Sequence, residues 1–366
     1  MKILFWTDGF WPRLGGIETQ GFQFVKGLQE RGHLCTVLAQ KDQASWAGEE
    51  TYRGIPIQRF DLNAIIEKRE LGLIRSIQNY IEKTLREFQP DIIHLNACLS
   101  GSAFAFLLFQ QMFQRPIVFT SHAPYLHEGQ FPPLIEKVAS SVDQICCVSN
   151  WVLQEMKKHL PHLTSKMRCI YNGLPMPEAE LHPLSFSPPI LLAFGRLSPE
   201  KGFDTAIRAF ALLRKSGSNA QLLIAGGGPH RFSLEKLAAE LELGPSIQFT
   251  GVLSEEEVIA AFNRATLVIV PSLIESFGLV ILEAMQHSRP VIASRVEGVP
   301  EVVADGETGL LVPSQDPKAL CQAIQTLLRD PERAVQMGMR GRERAMKFTI
   351  QQNVAQYEDV YRELAP

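Results

Sequence analysis

The sequence lacks a C-x-x-C pair, a preponderance of charge of either sign, and an apolar run long enough to span a membrane. Each absence removes a class of protein. The six cysteines, Cys35, Cys98, Cys146, Cys147, Cys169 and Cys321, lie in or beside apolar runs and read as reduced core residues, not as metal ligands or disulfide partners. The net charge is −3, and charged residues of both signs are spread over the two halves, so neither half is a basic nucleic-acid-binding module. The longest apolar stretch, around residues 97–109, is interrupted by Ser100 and Ser102 and falls short of the roughly 18 residues a spanning helix needs. The opening MKILFWTDGF has too short an apolar run for a secretory signal and serves as a first strand, so a cytoplasmic location is expected. No D-x-D pattern follows a strand. A G-x-G-x-x-G dinucleotide fingerprint is also missing, because Arg231 stands where its last glycine would follow Gly226 and Gly228.

What remains is the composition of a soluble globular enzyme, with 45% hydrophobic and 20% charged residues. Its 366 residues suggest two domains. Short β-rich runs alternate with helical patterns: KILFWT, CTVLA, IPIQRF, DIIHLN, PIVFTS and QICCVS, then ILLAFG, QLLIAG, IQFTG, LVIVPS, PVIAS and GLLVP. Near-continuous apolar strands followed by helices predict parallel sheets covered on both faces. The series restarts after LPMPEAELHPLSFSPP, where Pro175, Pro177, Pro183, Pro188 and Pro189 exclude regular helix and ladder pairing. The expected organisation is α/β: a doubly wound domain over 1–181, a second over 182–345, and a terminal helical segment over 346–366. Two such domains hold a ligand between them, at loops that follow strands.

ILLAFGRLSPEKGFD places Gly195, Arg196 and Lys201 just after a strand and at the start of a helix. Glycine permits close backbone approach, and the guanidinium and ammonium groups suit phosphate oxygens. In PSLIESFGLVILEAMQ a strand ends at Pro271, a loop carries Glu275 and Ser276, and a helix begins near Gly278 with Glu283 on it. The amides of Ser276, Phe277, Gly278 and Leu279 are free to face an anion. Two carboxylates beside an anion site suit paired hydroxyls, one gripping a sugar and the other a ribose. The pattern therefore predicts a site for a nucleoside-diphosphate compound. The triple Gly226, Gly227 and Gly228 fits either a ligand or a tight β-α turn, and Glu301 opens a short helix that could face the same site. In the first half, Gly15 and Gly16 precede a helix, and His122 follows the strand PIVFTS as a candidate functional residue. His94 ends DIIHLN and reads as a satisfied interior or supporting residue, while His33, His127, His159 and His162 receive no role.

GGIETQ, TSHAPY, CVSN, YNGL, FGRLSPEKG, AGGGP and ESFGLVILEA occur in the order found in retaining glycosyltransferases of family 4, which this chain resembles over nearly its whole length. The specific parts are the E-x7-E pair Glu275 and Glu283 and the R-x4-K pair Arg196 and Lys201. The resemblance implies a GT-B fold with two Rossmann-like domains, the acceptor mainly on the first, the nucleotide sugar mainly on the second, and a last helix that crosses back onto the first. It implies that Arg196 and Lys201 bind the donor diphosphate, and that Glu275 contacts sugar hydroxyls. Phe277, Gly278 and Leu279 would offer backbone contacts, and Glu283 would hold the ribose. Gly16 resembles the loop residue that closes over the diphosphate, and His122 the sugar-facing residue near the reacting centre. The chain departs from the family pattern at Ala123 and Pro175, where Asp is common.

The implied activity is metal-independent transfer of a sugar from a UDP- or GDP-sugar to a hydroxyl acceptor with retention of configuration. No cofactor is implied, since the nucleotide sugar is a substrate. The acceptor is a sugar or a lipid-linked hydroxyl compound. Rival readings are a nucleotide-sugar epimerase and a non-catalytic nucleotide-sugar binding protein. The segment AIIEKRELGLIRSIQNYIEKTLREF carries Lys68, Arg69, Arg75, Lys83 and Arg86, nearly balanced by acids, and reads as a domain helix before a peripheral membrane helix.

Overall fold

The computed structural model describes residues 1–13, 15–68, 71–96, 100–124, 132–177 and 182–365. Arg69, Cys98, Tyr125, His127 and Leu181 lie outside the described residues, and with Leu181 the expected domain boundary. Contacts divide the chain into two units, Met1–Gly173 with Ile350–Pro366, and Leu174–Thr349.

The first unit has strands β1 (Lys2–Thr7), β2 (Leu34–Gln40), β3 (Glu49–Tyr52), β4 (Ile55–Phe60), β5 (Ile92–Asn96), β6 (Ile117–Ser121), β7 (Gln144–Cys147) and β8 (Met167–Cys169). They form one sheet in the order β3-β4-β2-β1-β5-β6-β7-β8, parallel except for the β3–β4 pair. That hairpin turns at Arg53 and Gly54, both at positive φ, the backbone that a two-residue antiparallel connection requires. Central strands read as continuous apolar runs because both faces are covered: Ile3, Leu4, Phe5 and Trp6 of β1 are all buried. The covering helices are α1 (Gly16–Glu30), α2 (Leu62–Lys68), α3 (Leu71–Glu87), α4 (Ser100–Phe109), α5 (Pro133–Ser141) and α6 (Asn150–His159). Ile77 and Ile81 of α3 are buried on the same helical face, one turn apart.

The second unit has β9 (Ile190–Phe194), β10 (Gln221–Ala225), β11 (Ile247–Gly251), β12 (Leu267–Val270), β13 (Val291–Ser294) and β14 (Gly309–Val312), all parallel in the order β11-β10-β9-β12-β13-β14. Its helices are α7 (Phe203–Lys215), α8 (Arg231–Glu240), α9 (Glu255–Arg264), α10 (Leu279–Gln286), α11 (Val299–Val302), α12 (Pro317–Arg329) and α13 (Pro331–Ala345). Phe203, Ala206, Ile207 and Phe210 of α7 recur at helical spacing and enter the core. Leu184 and Phe186, from the proline-rich segment, pack against this same core. Arg289 is fully buried and donates from Nε to the His287 carbonyl at 2.9 Å, from Nη1 to that of Ala265 at 3.0 Å, and from Nη2 to that of His182. It therefore ties the proline-rich segment to β12 and the end of α10.

The final helix, α14 (Ile350–Leu364), packs on the first unit. Gly27 of α1 gives it room, since a Cβ there would lie 2.9 Å from Val354 Cγ2. Tyr357 and Tyr361 reach the sheet: the Tyr357 hydroxyl bonds Thr120 Oγ1 at 2.7 Å, and His94 bonds the Tyr361 hydroxyl through Nδ1 and Thr120 through Nε2. At the edge of the helix Glu358 accepts from Arg31 Nη2 and is bonded to His33 Nε2, each at 2.6 Å. Among the described residues Cys35, Cys146, Cys147 and Cys321 are buried and in no disulfide, and Cys169 is partly exposed and in no disulfide. Among the described residues no helix is long and apolar enough to cross a membrane.

Candidate functional site

In both sheets the strand order reverses beside the first strand of the unit, with β1 between β2 and β5, and β9 between β10 and β12. Loops leaving the carboxyl ends of strands diverge at such a point and leave room for a ligand. The chemistry-bearing residues sit on those loops.

After β9 the chain passes through Gly195 at φ 145 and is held by two interlocked turns. Gly195 N donates to the Ala225 carbonyl at 3.0 Å and Leu197 N to that of Gly227 at 2.8 Å. Gly226 and Gly228 are required by this contact, because a Cβ at Gly226 would lie 1.9 Å from Gly195 O and one at Gly228 would lie 2.3 Å from Leu197 O. Arg196, at the tip, is exposed and forms no ion pair among the described residues. The next turn ends at Gly202, in the left-handed region at φ 63, where a Cβ would lie 2.1 Å from Pro271 O. Leu273 N donates to the Glu200 carbonyl at 2.8 Å, so the loop bearing Lys201 is fastened to the loop after β12.

That fastening brings Lys201 Nζ to 2.7 Å from Glu275 Oε2, where Ser272 Oγ also donates at 3.2 Å. The backbone of Glu275 is braced from the loop after β13, by Glu297 Oε2 accepting from Glu275 N at 2.9 Å and by Gly298 N donating to Glu275 O at 3.3 Å. Glu297 occupies the left-handed region at φ 42, an uncommon position for a side chain of its size. Gly278, at φ 93, caps α10. Phe277 is buried edge-on against Phe348, with ring centroids 5.7 Å apart, so only its backbone is left for a ligand. Ser276 and Leu279 flank this turn. Glu283 lies one turn into α10, partly exposed, and burial pushes its carboxyl up to about 7. Its carboxylate makes no hydrogen bond among the described residues. Glu301 is half-buried on the short α11, whose last carbonyls accept from Arg344.

In the first unit Gly15 precedes α1 and Gly16 begins it. The loop before them is anchored by Arg13, paired with Glu18 at 2.8 Å and Asp42 at 3.2 Å, and by Trp11 stacked on Tyr52 at 3.8 Å. His122 directly follows β6, is nearly buried, and bonds Asn96 Oδ1 through Nε2 at 2.8 Å. Burial pushes its imidazole down to about 4. His94 is interior, with both ring nitrogens taken up by Thr120 and Tyr361, and burial pushes it down to about 3. His33, another histidine without an expected role, is an ion-pair partner of Glu358.

Sequence reasoning missed Ser272, Glu297 and Asn96. Glu297 carries no spacing signal, since it acts from a loop distant in sequence, whereas Ser272 lies only three residues before Glu275 in the same loop. Asn96 ends a strand beside His94, and that position at a strand's carboxyl end was the available clue.

Two parallel-sheet α/β units of this topology make up the GT-B fold of glycosyltransferases. The chain belongs to glycosyltransferase family 4: residues 14–176 match Glycosyltransferase Family 4, and residues 182–344 match Glycosyl transferases group 1. It is 28% identical over 94% of both chains to a GDP-mannose-dependent alpha-(1-6)-phosphatidylinositol monomannoside mannosyltransferase of Mycolicibacterium smegmatis. Its fold matches sucrose-phosphate synthase of Thermosynechococcus elongatus with a TM-score of 0.83 and 24% identity, covering 100% of this chain and 99% of the other. HepE of Anabaena, solved in complex with UDP and glucose, matches with a TM-score of 0.75 and 20% identity over 100% of both chains. The protein is a glycosyltransferase.

Proposed function

We propose that the protein transfers a sugar from a nucleoside diphosphate to an acceptor hydroxyl, with retention of anomeric configuration and without a metal ion. The observation that carries this reading is the Lys201–Glu275 contact of 2.7 Å beside the amino end of α10, with the unpartnered carboxylate of Glu283 one turn further on. A cation, the amino end of a helix and two carboxylates thereby share one short stretch of surface. These are the donors and acceptors that a diphosphate flanked by two polyols would use.

In this reading Arg196 and Lys201 meet the diphosphate and stabilise charge on it as the glycosidic bond breaks, and Glu275 accepts from sugar hydroxyls. Gly195 lets the backbone approach, Ser276, Phe277, Gly278 and Leu279 offer main-chain N–H groups, and Glu283 accepts from the ribose. For the first unit, the family resemblance assigns Gly15 and Gly16 to the diphosphate and His122 to the sugar. Catalysis is chiefly electrostatic, with fixed positive charge and amide dipoles aimed at the leaving group. The departing phosphate accepts the acceptor's proton on the face it leaves. The names of the relatives support a nucleotide-sugar donor, GDP-mannose in one and UDP in another.

Thermal denaturation with UDP, GDP and ADP tests the donor class, because a ligand of the folded state raises its midpoint. The nucleotide that stabilises then selects the nucleotide sugar for a transfer assay, with product anomers assigned by NMR. Inverted product, or a donor sugar epimerised without acceptor, overturns the reading.

A further inference from the structure

Three hydrogen bonds in the first unit run in a single direction. Thr7, Asn96 and Thr120 stand abreast near the carboxyl ends of β1, β5 and β6, in register Thr7↔Asn96 and Asn96↔Thr120, and His122 follows two residues after Thr120. Thr7 Oγ1 donates its only proton to the Gly9 carbonyl at 3.0 Å. Its oxygen therefore accepts from Asn96 at 3.4 Å, and the Asn96 atom facing it is the amide nitrogen, Nδ2. With Nδ2 committed to Thr7, Oδ1 is the atom turned to His122, 2.8 Å from Nε2. A carbonyl oxygen has no proton to give, so the proton of that bond resides on Nε2. In a neutral imidazole the other nitrogen, Nδ1, is then a bare lone pair. Among the described residues Nδ1 has no hydrogen-bond partner.

We propose that Asn96 is a positioning residue that locks His122 in the Nε2–H tautomer, so that Nδ1 meets the transferred sugar as an acceptor for a hydroxyl proton. The proposal rests on the reading of His122 as the sugar-facing residue. His94 supplies the contrast. Its nitrogens face the hydroxyls of Tyr361 and Thr120, each able to give or to take a proton, so nothing in that network sets a direction. Burial holds both histidines well below their ordinary values, which keeps His122 neutral at physiological pH and free of a charged neighbour in His94. A group at Nδ1 without a proton to donate, such as an ether or fluorine, would face a lone pair with no bond to form.

The test is a two-bond 1H–15N correlation spectrum of the full chain labelled with 15N-histidine, recorded at pH 7 without ligand, for the wild type, Asn96→Leu and Asn96→Asp. The wild type is expected to show His122 as the Nε2–H tautomer. Asn96→Leu removes the acceptor and is expected to give a mixture of tautomers, while the His94 signals stay in place and report an intact sheet. Asn96→Asp keeps an acceptor and adds a charge, so the tautomer persists and the titration midpoint of His122 rises by roughly one unit or more. An Nδ1–H tautomer in the wild type overturns the proposal, as does an unchanged His122 pattern in a folded Asn96→Leu variant. Should Asn96→Leu fail to fold, an unmoved His122 midpoint in Asn96→Asp overturns it. No nucleotide or sugar is present in these spectra, so the tautomer lock stands or falls separately from sugar transfer. In the transfer assay, Asn96→Leu is expected to lower kcat by roughly tenfold, the loss of about one hydrogen bond.

Discussion

Lys201 Nζ and Glu275 Oε2 lie 2.7 Å apart although 74 residues separate them in the chain. Each charge satisfies the other before any donor is bound. A diphosphate would draw the ammonium to itself and leave the carboxylate to sugar hydroxyls. Replacing Lys201 with Ala, or Arg196 with Ala, is expected to lower kcat by ~100-fold, on the order of 3 kcal/mol, by loss of positive charge at the leaving group. Steady-state transfer assays check this. Near-normal turnover in either variant removes that residue from the leaving-group role.

Glu283 gives a stability profile with a definite sign. Its carboxyl has an ordinary value of 4.5 and is raised to about 7 by burial in the fold. The folded state therefore holds a proton that the unfolded chain has lost between these values. Its full stability is present below about pH 4.5 and declines as the pH rises through about 7. Glu283→Gln is expected to raise the thermal midpoint at pH 8 while leaving that at pH 4 unchanged, and to weaken nucleotide binding by roughly tenfold, about one hydrogen bond. Differential scanning at the two pH values, with nucleotide titration at pH 8, measures both effects. Unchanged nucleotide affinity rules out the ribose role.

Glu358 has the opposite sign. The hydrogen bond from Arg31, aided by His33, holds its carboxyl down to about 2 against an ordinary 4.5. The contribution is complete above about pH 4.5 and disappears as the pH falls through about 2. Glu358→Gln is expected to cost on the order of 2 kcal/mol at pH 7 and only a small fraction of that at pH 2. Urea denaturation at both values decides. An equal loss at both would show that the side chain acts by shape and not by charge.

Gly226 has φ 132, and a Cβ there would lie 1.9 Å from Gly195 O. Gly226→Ala is expected to displace the loop carrying Arg196, costing roughly 1–3 kcal/mol in stability and lowering transfer more than Gly217→Ala. Gly217 also has positive φ, yet nothing lies within 4 Å of its Cβ position. Equal effects at the two positions would mean that backbone strain alone matters and the contact with Gly195 does not.

The metal-free reading predicts that transfer proceeds at its full rate in the presence of a strong chelator. A rate that falls with chelation and returns with a divalent cation would replace Arg196 and Lys201 by a metal as the main counter-charge.

Much of the fold was legible in local pattern. All twelve predicted β-runs are strands, and for most of them the signal is that a strand buried on both faces must be apolar along its length, a property of a few consecutive residues, whereas β4 alternates and β11 is only partly buried. The two further strands had weaker signals. β3 is an edge strand of alternating exposure, EETY, and β8 has only three residues. The positions of Gly195 and Gly278 were legible as glycines near turns, but Gly202 was not singled out, because it is required by a carbonyl on a different strand's loop.

By itself, the sequence determined the α/β architecture, the restart after the proline-rich segment, and the placement of Arg196, Lys201, Glu275, Glu283 and His122 after strands or at helix starts. These are matters of hydrophobic period and of residues within a few positions of one another. Only the tertiary structure decided that Lys201 meets Glu275, that Glu297 braces it, that Asn96 orients His122, and that Tyr357 and Tyr361 of the last helix close over His94. Such pairings depend on which strands become neighbours. Strand order follows from the packing of whole elements, and no local pattern encodes it.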